Sequence, residues 1–142
     1  MSCTVAKEEP TIGIEKDYVN QQIRVLAPDN FNSFKSTSPV TLEIQYHATD
    51  EIVFPNNYNV RIFKQVKSKW VEVKEIPTVR LPKDDIIFSA EKGTATVRLF
   101  AVFPDLIEYA QTYELRIYII GDMKMKQEIK KVTAFIDVTL HP

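Results

Sequence analysis

Three aromatic side chains that fall within one predicted hairpin are the residues of this 142-residue chain best suited to recognition chemistry: Tyr58, Phe63 and Trp70. A flat aromatic surface can stack on sugars or anchor a protein partner. The same rings can instead pack in a core, and core burial is the expectation for Trp70. Ile62 and Phe63 are consecutive, and consecutive strand residues face opposite ways, so at least one of them should lie away from the main core. The three rings form a candidate contact surface, and a carbohydrate platform would require them to be exposed and coplanar.

The residue types that most enzymes use are few and dispersed. His47 lies where a predicted strand meets a turn and His141 is the penultimate residue, so neither has an obvious neighbour that would make it a general base. Adjacent acids occur at 50–51 and 84–85, but neighbours in an extended chain point in opposite directions, so one pair cannot supply converging calcium ligands or the two carboxylates of a glycosidase. There is no G-x-S-x-G segment, and the three glycines are too scattered for a phosphate-binding loop. We therefore predict a protein that is not an enzyme and uses neither cofactor nor metal.

The charges nearly cancel, with 18 basic and 19 acidic residues. A chain of this balance has no overall field that would draw it onto nucleic acid or an anionic membrane, so we predict no nucleic-acid partner. A local basic loop does occur between the last two predicted strands, formed by Lys124, Lys126, Lys130 and Lys131. Solvation is the ordinary explanation of such a loop, and steering of an acidic partner is the alternative.

Two segments with different patterns organise the chain. Residues 1–20 are charged and lack periodicity, which predicts a polar tail or tether, and residues 21–142 carry short apolar runs of period two, which predict a β-domain. The expected strands cover 23–26, 40–47, 52–54, 58–66, 70–73, 86–88, 94–103, 113–119 and 132–140, with a loop or extended hairpin between the last two. Because crossover helices are missing, the sheets should be mostly antiparallel. The prediction is an all-β, two-layer antiparallel sandwich of about 7–9 strands, with a closed barrel as the alternative.

Two stretches resemble immunoglobulin-like sandwiches. Residues 105–117 look like the corner that leads into the sixth strand of such folds, where a tyrosine near the strand start hydrogen-bonds back to the corner, and the resemblance gives that fold-stabilising role to Tyr113. Residues 40–54, continued through 62–63 to the run 69–73, are similar to immunoglobulin-like modules of bacterial envelope lipoproteins. The resemblance implies an immunoglobulin-like fold, and its motifs are strand and turn types without a catalytic signature.

The N-terminus resembles a third pattern. Met1-Ser2-Cys3 looks like the end of a bacterial lipobox, whose cysteine is lipidated after signal cleavage, and Lys7-Glu8-Glu9 resembles an export signal of surface lipoproteins. The resemblance implies a lipid anchor on Cys3. The alternative is that Met1 is the start of a cytoplasmic protein and that Cys3 is an ordinary thiol.

Taken together, these patterns predict a non-catalytic, extracytoplasmic binding or assembly module of the bacterial cell envelope or cell surface. It would contact the membrane only through the lipid, and its partner would be an envelope protein or a second copy joined at strand edges. The alternative function is a carbohydrate-binding module that uses the hairpin aromatics to hold a glycan.

Overall fold

Every regular element in the described part of the chain is a β-strand. The computed structural model describes residues 9–10, 12–14, 19–27, 32–35, 40–54, 60–73, 85–89 and 112–142, together with the backbone of 94–99. Within them lie ten strands: β1 (Ile23–Leu26), β2 (Ser33–Lys35), β3 (Val40–Tyr46), β4 (Glu51–Phe54), β5 (Arg61–Val66), β6 (Lys69–Glu72), β7 (Ile86–Phe88), β8 (Thr94–Leu99), β9 (Tyr113–Lys124) and β10 (Ile129–His141). The all-β prediction is confirmed.

The strands form two sheets. The smaller sheet has the order β1-β3-β8, and the larger has the order β2-β10-β9-β4-β7, with β5 paired to β9 and β6 paired to β5. Every pairing of these strands is antiparallel except that of β2 with β10. The larger sheet is therefore mixed, the pairings are mostly antiparallel as expected, and one sheet curls into a half-barrel.

The long hairpin β9–β10 is the centre of the larger sheet. It pairs from Tyr113↔Leu140 to Lys124↔Ile129, and the chain reverses after Met125. Gly121 and Asp122 predicted a loop or an extended hairpin, and the structure has the hairpin, in which Gly121 lies inside β9. A Cβ at Gly121 would lie 3.0 Å from both the Ile52 and the Phe54 side chains, so the glycine permits β4 to pack closely on this strand.

One hydrophobic core joins the two sheets. The smaller sheet contributes buried residues of β1 and β3, such as Val25 and Leu42, and the larger sheet contributes alternate residues of β9 and β10, such as Ile117 and Ile136. The period-two apolar runs of the sequence are consistent with these core positions, since residues i and i+2 of a strand share a face.

The differences from the predicted elements lie at short strands and boundaries. Strand β2 was not predicted because only one of its three residues, Phe34, is apolar, and the described residues contain ten strands where about 7–9 were expected. Near the N-terminus, Val19 forms a parallel bridge with Thr133, and the Asn20 amide oxygen accepts a hydrogen bond of 2.9 Å from the Phe135 N–H. The division into a tail at 1–20 and a domain at 21–142 stays a prediction. No helix in the described residues is long and apolar enough to cross a membrane.

Candidate functional site

The larger sheet has a second face, turned away from the core, and this outer face carries the candidate site. It alternates with the core positions along β5, β6, β9 and β10, and we define it by Arg61, Phe63, Trp70, Glu72, Arg116, Tyr118, Phe135 and Asp137. Arg116 and Tyr118 are buried here although they flank the core residue Ile117. Strand β9 is therefore covered on both faces, whereas its alternation of apolar and polar residues predicted only one.

Arg116 is the central group of the outer face. Register places it opposite Asp137, and its Nε and Nη2 donate to the two carboxylate oxygens at 2.7 and 3.0 Å. Its guanidinium carbon lies 4.3 Å from the centroid of the Phe135 ring and 5.0 Å from that of Trp70. The third nitrogen, Nη1, donates to the Glu9 carboxylate. Bidentate pairing and two aromatic neighbours fix the plane of the guanidinium, so its orientation does not depend on Glu9.

The surroundings of Arg116 keep it charged. Burial by itself would lower the pKa of the guanidinium, but the hydrogen bonds with Asp137, with the Tyr118 hydroxyl and with Glu9 outweigh burial and raise the pKa. The Arg116 side chain is only 9% exposed, whereas the Glu9 side chain is 70% exposed. The site is thus a nearly buried cation with two carboxylate partners, of which Asp137 is held by two hydrogen bonds and the more exposed Glu9 by one.

A second arginine holds the same N-terminal stretch. Arg61 donates from Nε and Nη2 to Glu72 at 2.8 and 3.0 Å, and from Nη1 to the Ile12 carbonyl at 3.3 Å. The hydrogen bond with Glu72 raises the pKa of Arg61. We call residues 9–10 and 12–14 the N-terminal segment. It contacts the outer face through a carboxylate at one end and a main-chain carbonyl three residues later.

Two grooves flank the N-terminal segment. The arginine groove, of about 310 Å³, is lined by Gln65, Trp70, Thr139 and the Arg116–Asp137 pair. The segment groove, of about 550 Å³, lies between the N-terminal segment and the rings of Tyr118 and Phe135. Both volumes fall within or at the edge of the range that accommodates ligands.

Only two of the three residues of the predicted aromatic surface, Phe63 and Trp70, lie in the described part of the chain. Tyr58 lies outside the described residues. Phe63 is 5% exposed and packs edge-to-face on Tyr118 with the ring centroids 5.7 Å apart. It lies on the outer face while Ile62 lies in the main core, as the prediction for consecutive residues required. The expectation of core burial for Trp70 is wrong, because the ring is half-buried beside Arg116, outside the core cluster. Phe63 and Trp70 do not form an exposed coplanar platform.

The remaining candidate residues lie apart from this site. Cys3 and the corner before β9 are outside the described residues, and Tyr113, the first residue of β9, packs against the core.

His47 is exposed, and its main-chain N–H donates to the Gln22 carbonyl at 2.7 Å. The ring of His141 contacts the Pro142 carbonyl. Among the described residues, no group of three His, Cys, Asp or Glu side chains is placed to hold a metal ion.

The basic loop between the last strands is locally neutralised. Lys124, Lys130 and Lys131 form ion pairs with Glu51, Glu128 and Asp122, respectively. Exposed pairs of this kind contribute little to stability, but they reduce the field that an acidic partner would experience. The hairpin therefore offers a weaker steering surface than its sequence indicated.

Comparison with known proteins adds no family to this geometry: no protein-family model matches the chain, and no curated protein matches it significantly in sequence.

Proposed function

We propose that this chain is a non-catalytic, immunoglobulin-like binding module of the bacterial cell envelope, anchored through a lipid on Cys3, and that it binds a protein partner through its outer face. The observation that carries the binding function is Arg116, which is oriented by Asp137, Phe135 and Trp70 beside an open groove. A preoriented arginine beside an aromatic ring is the kind of residue pair that dominates protein interfaces.

The immunoglobulin-like classification and the location belong to the same proposal. Two mostly antiparallel sheets that share one core support the classification, as does Tyr113 at the start of β9, where a corner tyrosine would lie. The lipid anchor is supported by the sequence Met1-Ser2-Cys3 followed by a polar stretch. One acyl chain holds a protein on a membrane only weakly, so stable anchoring requires the several chains of a mature bacterial lipoprotein.

A glycan is the second candidate ligand, and one observation favours it. The half-buried Trp70 lies beside polar side chains of the arginine groove, including Gln65 and Thr139. A single ring already stacked on a guanidinium presents less area to a sugar than the three-ring surface that the sequence indicated. We therefore place protein binding first.

The anchor is tested by fractionating the native host and measuring the intact mass of the protein in each fraction. We expect a membrane-bound species that carries acyl mass on Cys3. A soluble species with an unmodified cysteine would exclude the anchor.

The binding surface is tested in the same cells by placing a photo-crosslinking amino acid at Gln65, in the arginine groove. The matched control carries the same amino acid at Lys126, an exposed residue near the tip of the β9–β10 hairpin. We expect a discrete protein adduct from position 65 and none from position 126. If position 65 gives no adduct beyond that of position 126, the outer face does not bind a protein partner in the host, and the proposed function is contradicted.

A further inference from the structure

The N-terminal segment occupies the outer face as a ligand would. Its Glu9 carboxylate accepts a hydrogen bond from Arg116, and its Ile12 carbonyl accepts one from Arg61. These contacts join residues that are 107 and 49 positions apart in the chain. The outer face therefore contacts a short segment of chain through a negative side chain and through a main-chain acceptor three residues later.

The recognising groups are held independently of this occupant. Asp137 takes two of the Arg116 nitrogens, and Glu72 takes two of the Arg61 nitrogens. In each arginine the nitrogen that remains is Nη1, and it points to the N-terminal segment. A site whose donors are already oriented does not have to be reorganised when one peptide replaces another.

The N-terminal segment does not fill the surface beside it. The segment groove leaves about 550 Å³ between Pro10 or Ile12 and the rings of Tyr118 and Phe135, and it opens to solvent. A larger apolar side chain could therefore enter the groove without displacing any other part of the core. At the other end of the segment the Glu9 side chain is 70% exposed. Water can therefore compete for the carboxylate, and the segment is replaceable.

From these observations we propose that the outer face binds a short segment of a partner protein, in which a carboxylate takes the place of Glu9 at Arg116 and a larger apolar side chain fills the segment groove. The N-terminal segment is then an internal competitor that the partner displaces. This proposal rests on the proposed function, because it names the ligand class of the same binding surface.

The charges at Arg116 set the sign of the ligand. When the Glu9 carboxylate leaves, a carboxylate of the partner protein takes its place. The Arg116 guanidinium is then paired with Asp137 and with one further acid both before and after the exchange. A neutral acceptor in that position could form only a weaker hydrogen bond with Arg116 Nη1, as the Ile12 carbonyl does with Arg61, because a carboxylate acceptor adds the attraction between opposite charges. A basic side chain would add repulsion to that loss.

The test uses the full chain and a synthetic peptide with the sequence of residues 8–14, blocked at both ends, as the probe. The single tryptophan of the chain, Trp70, reports binding by its fluorescence because its ring contacts Arg116. We expect Glu9→Gln to bind the peptide about tenfold more tightly than the wild type, since weakening an internal competitor raises the fraction of open sites. Glu128→Gln removes the same charge at the far hairpin and is expected to bind as the wild type does.

Two altered peptides test the chemistry. A peptide with glutamine in place of the acid that corresponds to Glu9 is expected to bind more weakly than the parent peptide, and one with phenylalanine in place of the residue that corresponds to Ile12 is expected to bind more tightly. Arg116→Met is expected to bind none of the three peptides. Circular dichroism, compared with that of the wild type, establishes that this variant is folded. Calorimetry with the same peptides checks the fluorescence result.

The outcomes separate this inference from the proposed function. If no peptide binds Glu9→Gln, or if all three peptides bind equally well, the peptide site is overturned, while a crosslink from position 65 would still support a binding module. Equal affinity of the wild type and Glu9→Gln overturns the role of the N-terminal segment as a competitor. Peptide binding without any crosslink in the host would support the site and contradict the proposed function.

Discussion

Arg116 shows how a charged residue is retained in a nearly buried position. Desolvation of a guanidinium is unfavourable, and here it is offset by a bidentate carboxylate and two aromatic rings. Sequence alternation places Arg116 and Asp137 among the polar positions of the two strongest predicted strands, so both could have been selected as a facing pair once the register was known. Alternation does not reveal that this face is covered, because the residues that cover it come from the N-terminal segment.

Truncation of Arg116 should test how much this network stabilises the fold. We expect Arg116→Ala to lower the free energy of unfolding by about 1.5–3 kcal/mol, the range for hydrogen bonds to charged groups. The loss stays at that level because the Asp137 side chain is 53% exposed and can be hydrated. Arg116→Lys should recover little, since an ammonium group cannot form the bidentate pair. Urea unfolding provides the measurement, and a lysine variant as stable as the wild type would contradict the account.

The hydroxyl of Tyr118 makes the outer face sensitive to alkaline pH. Burial raises the pKa of this phenol above its ordinary value of 10.0, and the neighbouring Arg116 lowers it in part. A folded-state pKa above the unfolded one gives stability that is complete below about pH 10 and is lost as the pH rises through the folded pKa. We expect the alkaline decrease in unfolding free energy to be shallower in Tyr118→Phe than in the wild type.

The measurement for Tyr118 is a series of urea titrations between about pH 9 and about pH 11, combined with phenolate absorbance of the native protein. Tyr46→Phe serves for comparison, because burial also raises the pKa of Tyr46 and this residue lies away from the outer face. It shows how much of the alkaline loss of stability comes from a tyrosine elsewhere in the fold. Each variant should remove part of the alkaline slope. Identical slopes in the wild type and Tyr118→Phe would show that this phenol is not stabilised in its neutral form.

At the scale of elements, strand alternation was a good guide and turn chemistry a poorer one. Periodicity located β9 and β10 because their core faces alternate over many residues. Glycine and aspartate at 121–122 are also typical of turns, which left a loop open as an alternative. A glycine is needed at position 121 because β4 packs closely against β9 there. That contact is long-range, and no local sequence pattern indicates it. Strand β2 is likewise defined by the edge of β10 rather than by its own residues.

Close packing at Gly121 leads to a prediction about the contact between β4 and β9. Gly121→Ala places a Cβ at 3.0 Å from Phe54 Cε1 and from Ile52 Cγ2, so we expect a loss of about 1–3 kcal/mol from overpacking. Phe54→Leu shortens the contacting side chain. If contact with the ring is the cause, the double variant should lose less stability than the sum of the single variants, as measured by chemical denaturation. Strict additivity would indicate that the alanine acts elsewhere.

At the scale of the whole molecule, the two sheets depend on one another. The core cluster contains residues of both, so neither sheet buries its apolar face without the other. The aromatic rings of the outer face belong to the larger sheet, and the N-terminal segment covers part of that face. The sequence allowed prediction of the all-β class and many core positions, whereas the outer face depends on register and on contacts between distant parts of the chain.

Cooperative unfolding of both sheets is the consequence that a variant can test. Leu42 is fully buried on β3 of the smaller sheet, while the only tryptophan, Trp70, lies on β6 of the larger sheet. We expect Leu42→Ala to cost about 2–5 kcal/mol and to shift the Trp70 fluorescence transition in urea by the same amount as the transition followed by far-ultraviolet circular dichroism. Arg24→Ala, at an exposed position of β1 in the same small sheet, should change both by less than about 0.5 kcal/mol. A Leu42→Ala variant whose Trp70 transition stays at the wild-type midpoint would mean that the larger sheet folds by itself, and the outer face would then be stable without the smaller sheet.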